Sequence, residues 1–447
     1  MAAILFALAA AAAYVSVPVL HLSMDAYPQL FTAESWIRYG DATIDEYPQG
    51  LDNEVTFRGA SYSSYPVGLA LTASPALAPF VLAGAELSDA VFRTLWSRAL
   101  ATVLAAASVA FIYLACRGIA GPRAAFLATC AYAFGTGTWA VSSQELSQHS
   151  AAGTFLALGC WLATRSRAAA PRAALAFALA SLTRPLNVIT LGFGALNARR
   201  IGGWSAVASY VAWSVPPVAY LLTYNVLAFG SPSGILYGEP IPWQFPPPGL
   251  AGQLISPSRG LFVFSPVLLL APIGMWLAWR RRGGRVEAFV RELSVAAAAL
   301  WIAYASVGWW WGGWSYGNRY LLDAVPLLTL AAAHAIDRGA LAGRLRNALF
   351  VLALGWSALL QFAGALYGYT YWRGYNWNAT PSIDVTTERL WDWADAQWWS
   401  VLRHLLSDPD GAVGPALAGV AVAVLILRVI AVRTRTGYSA PAGTGGA

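Results

Sequence analysis

AAILFALAAAAAYVSVPVLHLSMD, residues 2–25, is an apolar run that ends on an acid. From Ala2 to Leu22 it holds no Asp, Glu or Arg, and it is long enough to cross a bilayer. Asp25 stands where that run should leave lipid, and a carboxylate there loses hydration unless it has a partner or a task. It opens a loop that also holds Glu34, Asp41, Asp45, Glu46, Asp52 and Glu54. No basic region precedes the run, so it reads as a retained first span and not as a cleaved signal.

The rest of the 447 residues repeats this character: 58% are hydrophobic, 11% are charged, and mean hydropathy is +0.53. A soluble domain carries about 25% charged residues, so the chain reads as an integral membrane protein. All 28 basic residues are arginine. A net charge of +7 in a soluble protein would suggest nucleic acid. Here the arginines are dispersed at the ends of apolar runs, which the positive-inside rule explains and which argues against a nucleic-acid partner. Cys116, Cys130 and Cys160 lie in or at the ends of apolar runs without metal spacing, and read as small core residues.

The expected fold class is an all-α polytopic membrane protein with about twelve transmembrane helices. The runs fall near 3–22, 95–116, 122–140, 150–165, 172–183, 186–198, 204–226, 260–280, 289–309, 320–336, 346–368 and 412–432. Arg117 and Arg123, Arg165 to Arg172, Arg199 and Arg200, Arg280 to Arg285, and Arg338 to Arg346 all fall on one side, with Arg428, Arg433 and Arg435. That side is cytoplasmic by the charge rule, and so are both termini. The setting is a prokaryotic plasma membrane, with the acids outside. Parity forbids a simple extra span over Pro66–Ala85, whose three prolines also oppose a straight helix, so an interfacial or re-entrant element is expected there. Parity also demands two short spans in 172–198, with the Thr183-Arg184-Pro185 turn sunk below the outer surface. Residues 1–433 form one membrane domain with outer segments 23–94, 227–259 and 369–411, and 434–447 read as a disordered cytoplasmic tail. Trp391, Trp393, Trp398 and Trp399 mark an interfacial helix in the third segment.

Several phrases are spaced along this frame. Asp25-Ala26-Tyr27 leads through Glu34 to Tyr39-Gly40-Asp41, and Tyr62-Ser63-Ser64-Tyr65-Pro66-Val67-Gly68 follows. Later come Ser143 to His149, Ser181 to Leu186, Tyr224-Asn225, Phe229 to Pro232, Ser258 to Leu261, Ser265-Pro266 and Gly312 to Tyr320. The pattern resembles the GT-C membrane glycosyltransferases. It is most similar to the broad group of protein O-mannosyltransferases and lipid A aminoarabinose transferases, glycosyltransferase family 39. In that group an acid follows the first span, a helix ends in a Gly-acid step, and a His/Lys-Pro-Pro element opens the next apolar stretch. Tyr65-Pro66 stands at the last position without the His or Lys. The resemblance covers most of the chain, through loose motifs. It implies a catalytic acid at Asp25, a polyprenyl-phosphate sugar donor, and a glycan, lipid or protein acceptor.

The chemistry asks for these residue types. Transfer to a hydroxyl or amine needs a base to take its proton, and a carboxylate near the bilayer surface can serve. The plainer reading is that Asp25 only solvates the end of the first span. Arg184, Arg259, Arg319 and Arg58 are the candidates for the donor phosphate, because a guanidinium matches phosphate oxygens with a planar fork. Arg319 and Asp323 are four apart and could instead pair. Glu145 and His149 share a helix face and, with Tyr65, Tyr316 and Asn318, are candidates for substrate contact. A metal at Glu145 and His149 lacks an obvious third ligand, so a divalent cofactor is not favoured. Trp309 to Trp311 and Trp314 suit sugar stacking, but an aromatic belt explains them as well.

The leading function is an inverting transfer of a sugar from a lipid-linked phosphate at the outer face. The alternatives are a lipid-linked-sugar transporter or flippase, and a non-catalytic envelope-assembly subunit. A transporter tends to place polar residues at mid-membrane and to show two related halves. The charges here gather at one mouth instead.

Overall fold

Prolines and glycines decide where the apolar runs become helices. In the computed structural model, which describes residues 1–18, 26–48, 53–166, 168–232, 242–281, 283–313, 315–368, 383–408 and 411–436, the chain is mostly helical. Asp25, Asp52, Trp314 and residues 369–382 therefore lie outside the described residues, as does the tail beyond Thr436. Helix α1, Ala2–Val15, stops short of the expected Leu22. Pro18 has no amide hydrogen to donate and disfavours helical backbone in the residue before it.

The segment after α1 then builds α2 (Tyr27–Arg38), a hairpin of β1 (Glu54–Phe57) and β2 (Ala60–Ser63), and α3 (Gly68–Leu82). The hairpin pairs Glu54 with Ser63 and Phe57 with Ala60. Its two turn residues, Arg58 and Gly59, both have positive φ, 52° and 85°, as a tight primed turn requires. Helix α3 lies within Pro66–Ala85, where an interfacial or re-entrant element and no simple span is expected. It is continuous through Pro75 and Pro79 and buries Leu69, Ala73, Leu77 and Val81 against α2 and its surroundings. Fifteen residues reach about 22 Å, short of a hydrocarbon core.

The bundle follows as α4 (Ala90–Ile119), α5 (Pro122–Phe134), α6 (Gln148–Thr164), α7 (Ala173–Thr183) and α8 (Val188–Phe229), with a π-helical turn at Thr138–Ser142. Helix α8 is two helices. Gly203 breaks it with φ 68° and ψ −158°, and the Tyr210 hydroxyl donates to the Leu191 carbonyl at 2.8 Å. Nineteen residues of straight helix would separate those groups by about 28 Å, so the chain doubles back at Gly203, near the reversal expected from Arg199 and Arg200.

After two single-turn helices, α9 (Gly252–Ile255) and α10 (Leu261–Phe264), come α11 (Leu270–Arg280), α12 (Arg285–Ala305), α13 (Val325–Asp337), α14 (Arg344–Tyr367), α15 (Gln397–Ser407) and α16 (Val413–Thr436). The run expected as one span over 260–280 is broken at Ser265, whose φ and ψ of −139° and 60° precede Pro266. Helix α16 carries the chain in helical form through 434–436, where a disordered tail was expected to begin.

Among the described residues four helical segments, including the doubled α8, are long and apolar enough to cross a membrane: Ala90–Ile119, Pro185–Phe229, Arg344–Tyr367 and Val413–Val432. The arginine-bearing turns bond to one another: Arg285 to the Arg165 carbonyl, Arg200 to Glu292, Arg338 to Glu287, Arg123 to Asn347, and the Gly121 amide to Asp337. They gather at one end of the bundle, as the charge pattern requires. Helices α1 and α16 run antiparallel, because Ser16 at the end of α1 meets Ala416 and Gly419 near the start of α16.

Candidate functional site

At the opposite end, the turn after α7 carries a buried arginine. Arg184 is extended, with φ −140° and ψ 107°, because Pro185 follows it and bars helical backbone. Gly68 at the start of α3 sits directly on the Leu182–Thr183 backbone, where a Cβ would collide. The Tyr65-Pro66-Val67-Gly68 phrase therefore abuts the Arg184 turn, and only glycine permits that approach.

The Arg184 guanidinium is 6% exposed and reaches three other elements. Its Nε donates to Asp323 Oδ2 at 2.7 Å and its Nη2 to the Tyr304 hydroxyl at 2.8 Å, while Nη1 lies 3.2 Å from His149 Nε2. The Tyr304 hydroxyl in turn donates to the same Asp323 oxygen. A guanidinium has donors only, so His149 Nε2 must present its lone pair. The ring is then neutral and its hydrogen is on Nδ1. His149 is 7% exposed, and its Nδ1 has no partner among the described residues. Arg319 lies within electrostatic reach of the same ring.

Asp323 pairs with Arg184 and not with Arg319, its expected i−4 neighbour. The reason is local. Tyr320–Asp323 is a 3₁₀ turn, in which residues four apart diverge by about a third of a turn. Arg319 instead lies over Gly312, whose added Cβ would stand 3.2 Å from Arg319 Cγ. It is half-buried.

Other candidates have structural work. Arg259 is 1% exposed. It donates to the carbonyls of Trp311 at 3.1 Å, Ser258 at 2.8 Å and Gly313 at 3.3 Å, and to Gln397 Oε1 at 2.7 Å. Its fork is occupied by protein carbonyls and Gln397. Tyr316 is a core residue: its hydroxyl donates to Leu360 at 2.7 Å and its ring packs on Gly364 and edge-on to Phe264. Asn318 donates to the Gln253 carbonyl at 2.6 Å and accepts from Leu321, tying down the turn that carries Arg319. Arg58 is exposed at the hairpin tip, over the Phe57 ring and beside Gly230. Tyr65 is half-buried, with its amide on Ser63.

The acids of the first outer loop are largely committed to folding. Glu34 pairs with Arg38 at 2.8 Å and accepts from the Leu87 amide. Asp41 accepts from Ser35 and Thr43, and Asp45 from the Ser61 amide. Asp25 itself is outside the described residues, but the chain leading to it is anchored. Arg98, 4% exposed, donates to the carbonyls of Tyr14 at 2.6 Å and Gln144 at 2.9 Å. One turn later, Thr102 donates to the Ser143 carbonyl. The cation thus caps the negative end of α1 and fastens it to the segment that runs into Glu145 and His149. Sequence reading passed over Arg98, Tyr304 and Gln397; an arginine inside the apolar stretch 95–116 was the available signal for the first.

Among the described residues no three His, Cys, Asp or Glu side chains gather as a metal site. No protein-family model matches the sequence, and no curated protein does. Solved structures similar to this chain include the following two. An oligosaccharyltransferase from Archaeoglobus fulgidus, in complex with Zn and sulfate, is 13% identical with a TM-score of 0.47, covering 88% of this chain and 57% of its own. ArnT from Cupriavidus metallidurans, bound to undecaprenyl phosphate, is 17% identical with a TM-score of 0.47, covering 97% of this chain and 78% of its own. The chain thus spans little more than half the length of the oligosaccharyltransferase.

Proposed function

We propose that this chain is an integral membrane glycosyltransferase that moves a sugar, with inversion, from a polyprenyl-phosphate donor to a glycan, lipid or protein acceptor at the outer face of a plasma membrane. The observation that supports it best is the buried Arg184 guanidinium, held by Asp323 and Tyr304 and set 3.2 Å from the His149 ring, at the bundle end opposite the arginine-bearing turns. A lipid phosphate at that depth meets cations held in a low dielectric, where they count for more than in water.

The residues divide the task. Asp323 and Tyr304 hold Arg184, and Arg184 holds His149 in one tautomer, so that Nδ1–H is a fixed donor for a sugar hydroxyl or phosphate oxygen. Arg319 is the leading phosphate ligand, because its side chain is only half-buried and lies along a glycine pair. Asp25 is the base. The acceptor oxygen or nitrogen bonds to the anomeric carbon, its proton passes to the Asp25 carboxylate, and the sugar–oxygen bond breaks with its electron pair leaving on the phosphate. Arg98 keeps the exit of α1 beside the His149 segment.

The test is direct. Purified chain in lipid nanodiscs is incubated with a panel of polyprenyl-phosphate sugars and assayed for transfer or slow donor hydrolysis. Asp25→Asn should lose turnover by about 10²- to 10⁴-fold while keeping donor binding. Silence with every donor, in membranes where a known transferase works, would refute the reading. An active Asp25→Asn protein would remove Asp25 from the mechanism.

A further inference from the structure

Gln397 is the first residue of α15 and is fully buried. It makes four hydrogen bonds. Its Oε1 accepts from Arg259 Nη1 at 2.7 Å and from the Gly317 amide at 2.9 Å. Its Nε2 donates to the Ser315 carbonyl at 3.0 Å, and its own amide donates to Ser258 Oγ at 3.2 Å. A buried amide with two side-chain bonds on one tight turn, and a third on the arginine that also holds that turn, specifies the turn's shape.

The turn runs through Gly312, Gly313 and Gly317, all at positive φ, and ends at Arg319. Gly312 and Gly313 have no side chains, and Arg319 lies along them. Arg259 grips the same turn from the other side, through the Trp311 and Gly313 carbonyls. The turn is therefore clamped between Arg259 and Gln397, and the two clamps bond to each other.

Helix α15 brings a second set of contacts. Trp398 packs edge-on against Trp356 of α14, with ring centroids 5.4 Å apart. Trp399, Arg403 and Leu406, spaced by four and three residues, form its exposed stripe, and the Arg403 guanidinium lies over the Trp399 ring. Such a stripe suits the boundary between lipid and water. Gln397 joins this helix to the arginine-bearing turn.

We propose that Gln397 is a positioning residue: through the Ser315–Gly317 backbone it fixes the place of Arg319 and makes that place depend on the seating of α15. This rests on the transferase reading for the purpose of Arg319, but the clamp itself can be measured without it.

Two readouts are taken on full-length chain in nanodiscs: amide hydrogen exchange over residues 315–319, and binding of a polyprenyl monophosphate. Gln397→Ala removes all three side-chain bonds. It should speed exchange by about tenfold or more and weaken binding by a similar factor, with helical content retained. Gln397→Glu keeps both acceptor bonds and loses only the donation to Ser315, so it should restore most of both. Unchanged exchange in Gln397→Ala would overturn the proposal. So would fast exchange with undiminished binding, or a Gln397→Glu protein as impaired as the alanine variant. Wild-type chain that binds no polyprenyl monophosphate would instead refute the transferase reading, and the exchange result would still decide whether Gln397 holds the turn.

Discussion

The two ends of this bundle use arginine in opposite ways. At the end where the helical turns carry most of the arginines, pairs are wet: Arg200 and Glu292 meet at 2.9 Å with 26% and 19% of their side chains exposed. At the other end Arg98, Arg184 and Arg259 are all under 7% exposed, and only Arg184 has a described carboxylate partner. Carbonyl oxygens hold the others. The difference follows from solvation. A surface guanidinium is hydrated wherever it points, whereas a buried one persists only when nearly every N–H has an acceptor. The consequence for function is that a buried arginine near lipid is not by itself a phosphate ligand. Its burial and its partners must be weighed first: Arg259 is 1% exposed with its fork on protein carbonyls and Gln397, whereas Arg319 is half-buried along Gly312 and Gly313.

The sharpest way to break this contrast is Arg184→Met. It strands Asp323 and Tyr304 in the interior and should cost about 3–5 kcal/mol of stability, read as a lowered unfolding midpoint in detergent. Adding Asp323→Asn should recover a substantial part, since the stranded charge then disappears. A double variant as unstable as the single would mean that the pair matters only for packing. The companion change at the wet end, Arg200→Gln, should cost less than about 1 kcal/mol by the same measurement. An effect as large as that of Arg184→Met would erase the distinction between the ends.

A smaller effect tests a carboxylate in the turn that connects α15 to α16. Asp408 accepts from the Tyr367 hydroxyl at 2.6 Å and from the Val413 and Ala412 amides. These bonds, the tyrosine's first, hold its carboxyl below the usual value. A lowered folded pKa stabilises above the unfolded value near about 3.9, and the stabilisation is lost as pH falls through the folded value. The unfolding midpoint of the native chain should therefore sag below about pH 4, and Asp408→Asn should flatten that part of the curve.

Hydrophobic runs made the helices legible, and the arginines made the sorting of turns legible, because both depend on single residues and their solvation. Helix ends were less visible. Pro18, Ser265 before Pro266, and Gly203 each act on backbone geometry that a hydropathy pattern does not register. At the site, Arg184, His149 and Arg319 stood out by residue type and spacing. Their partners did not. Tyr304 lies 120 positions from Arg184, Gln397 lies 138 from Arg259, and the Arg319–Asp323 pairing expected of an α-helix fails on a 3₁₀ turn. Such contacts are written in the packing of distant helices, for which one sequence carries no local mark.

The meeting of Ser16 with Gly419 has a consequence for biosynthesis. A ribosome adding about 5–20 residues per second delivers α16 roughly 20–80 s after α1. Through that interval the side of α1 bearing Ala12 and Ser16 waits for its neighbour. Small side chains four apart bury little surface and suit close helix contact, so the wait exposes only a shallow groove to the translocon and to lipid. A late-arriving α16 then docks on an α1 that is already in place, and interrupting translation before residue 411 should leave that side of α1 uncovered.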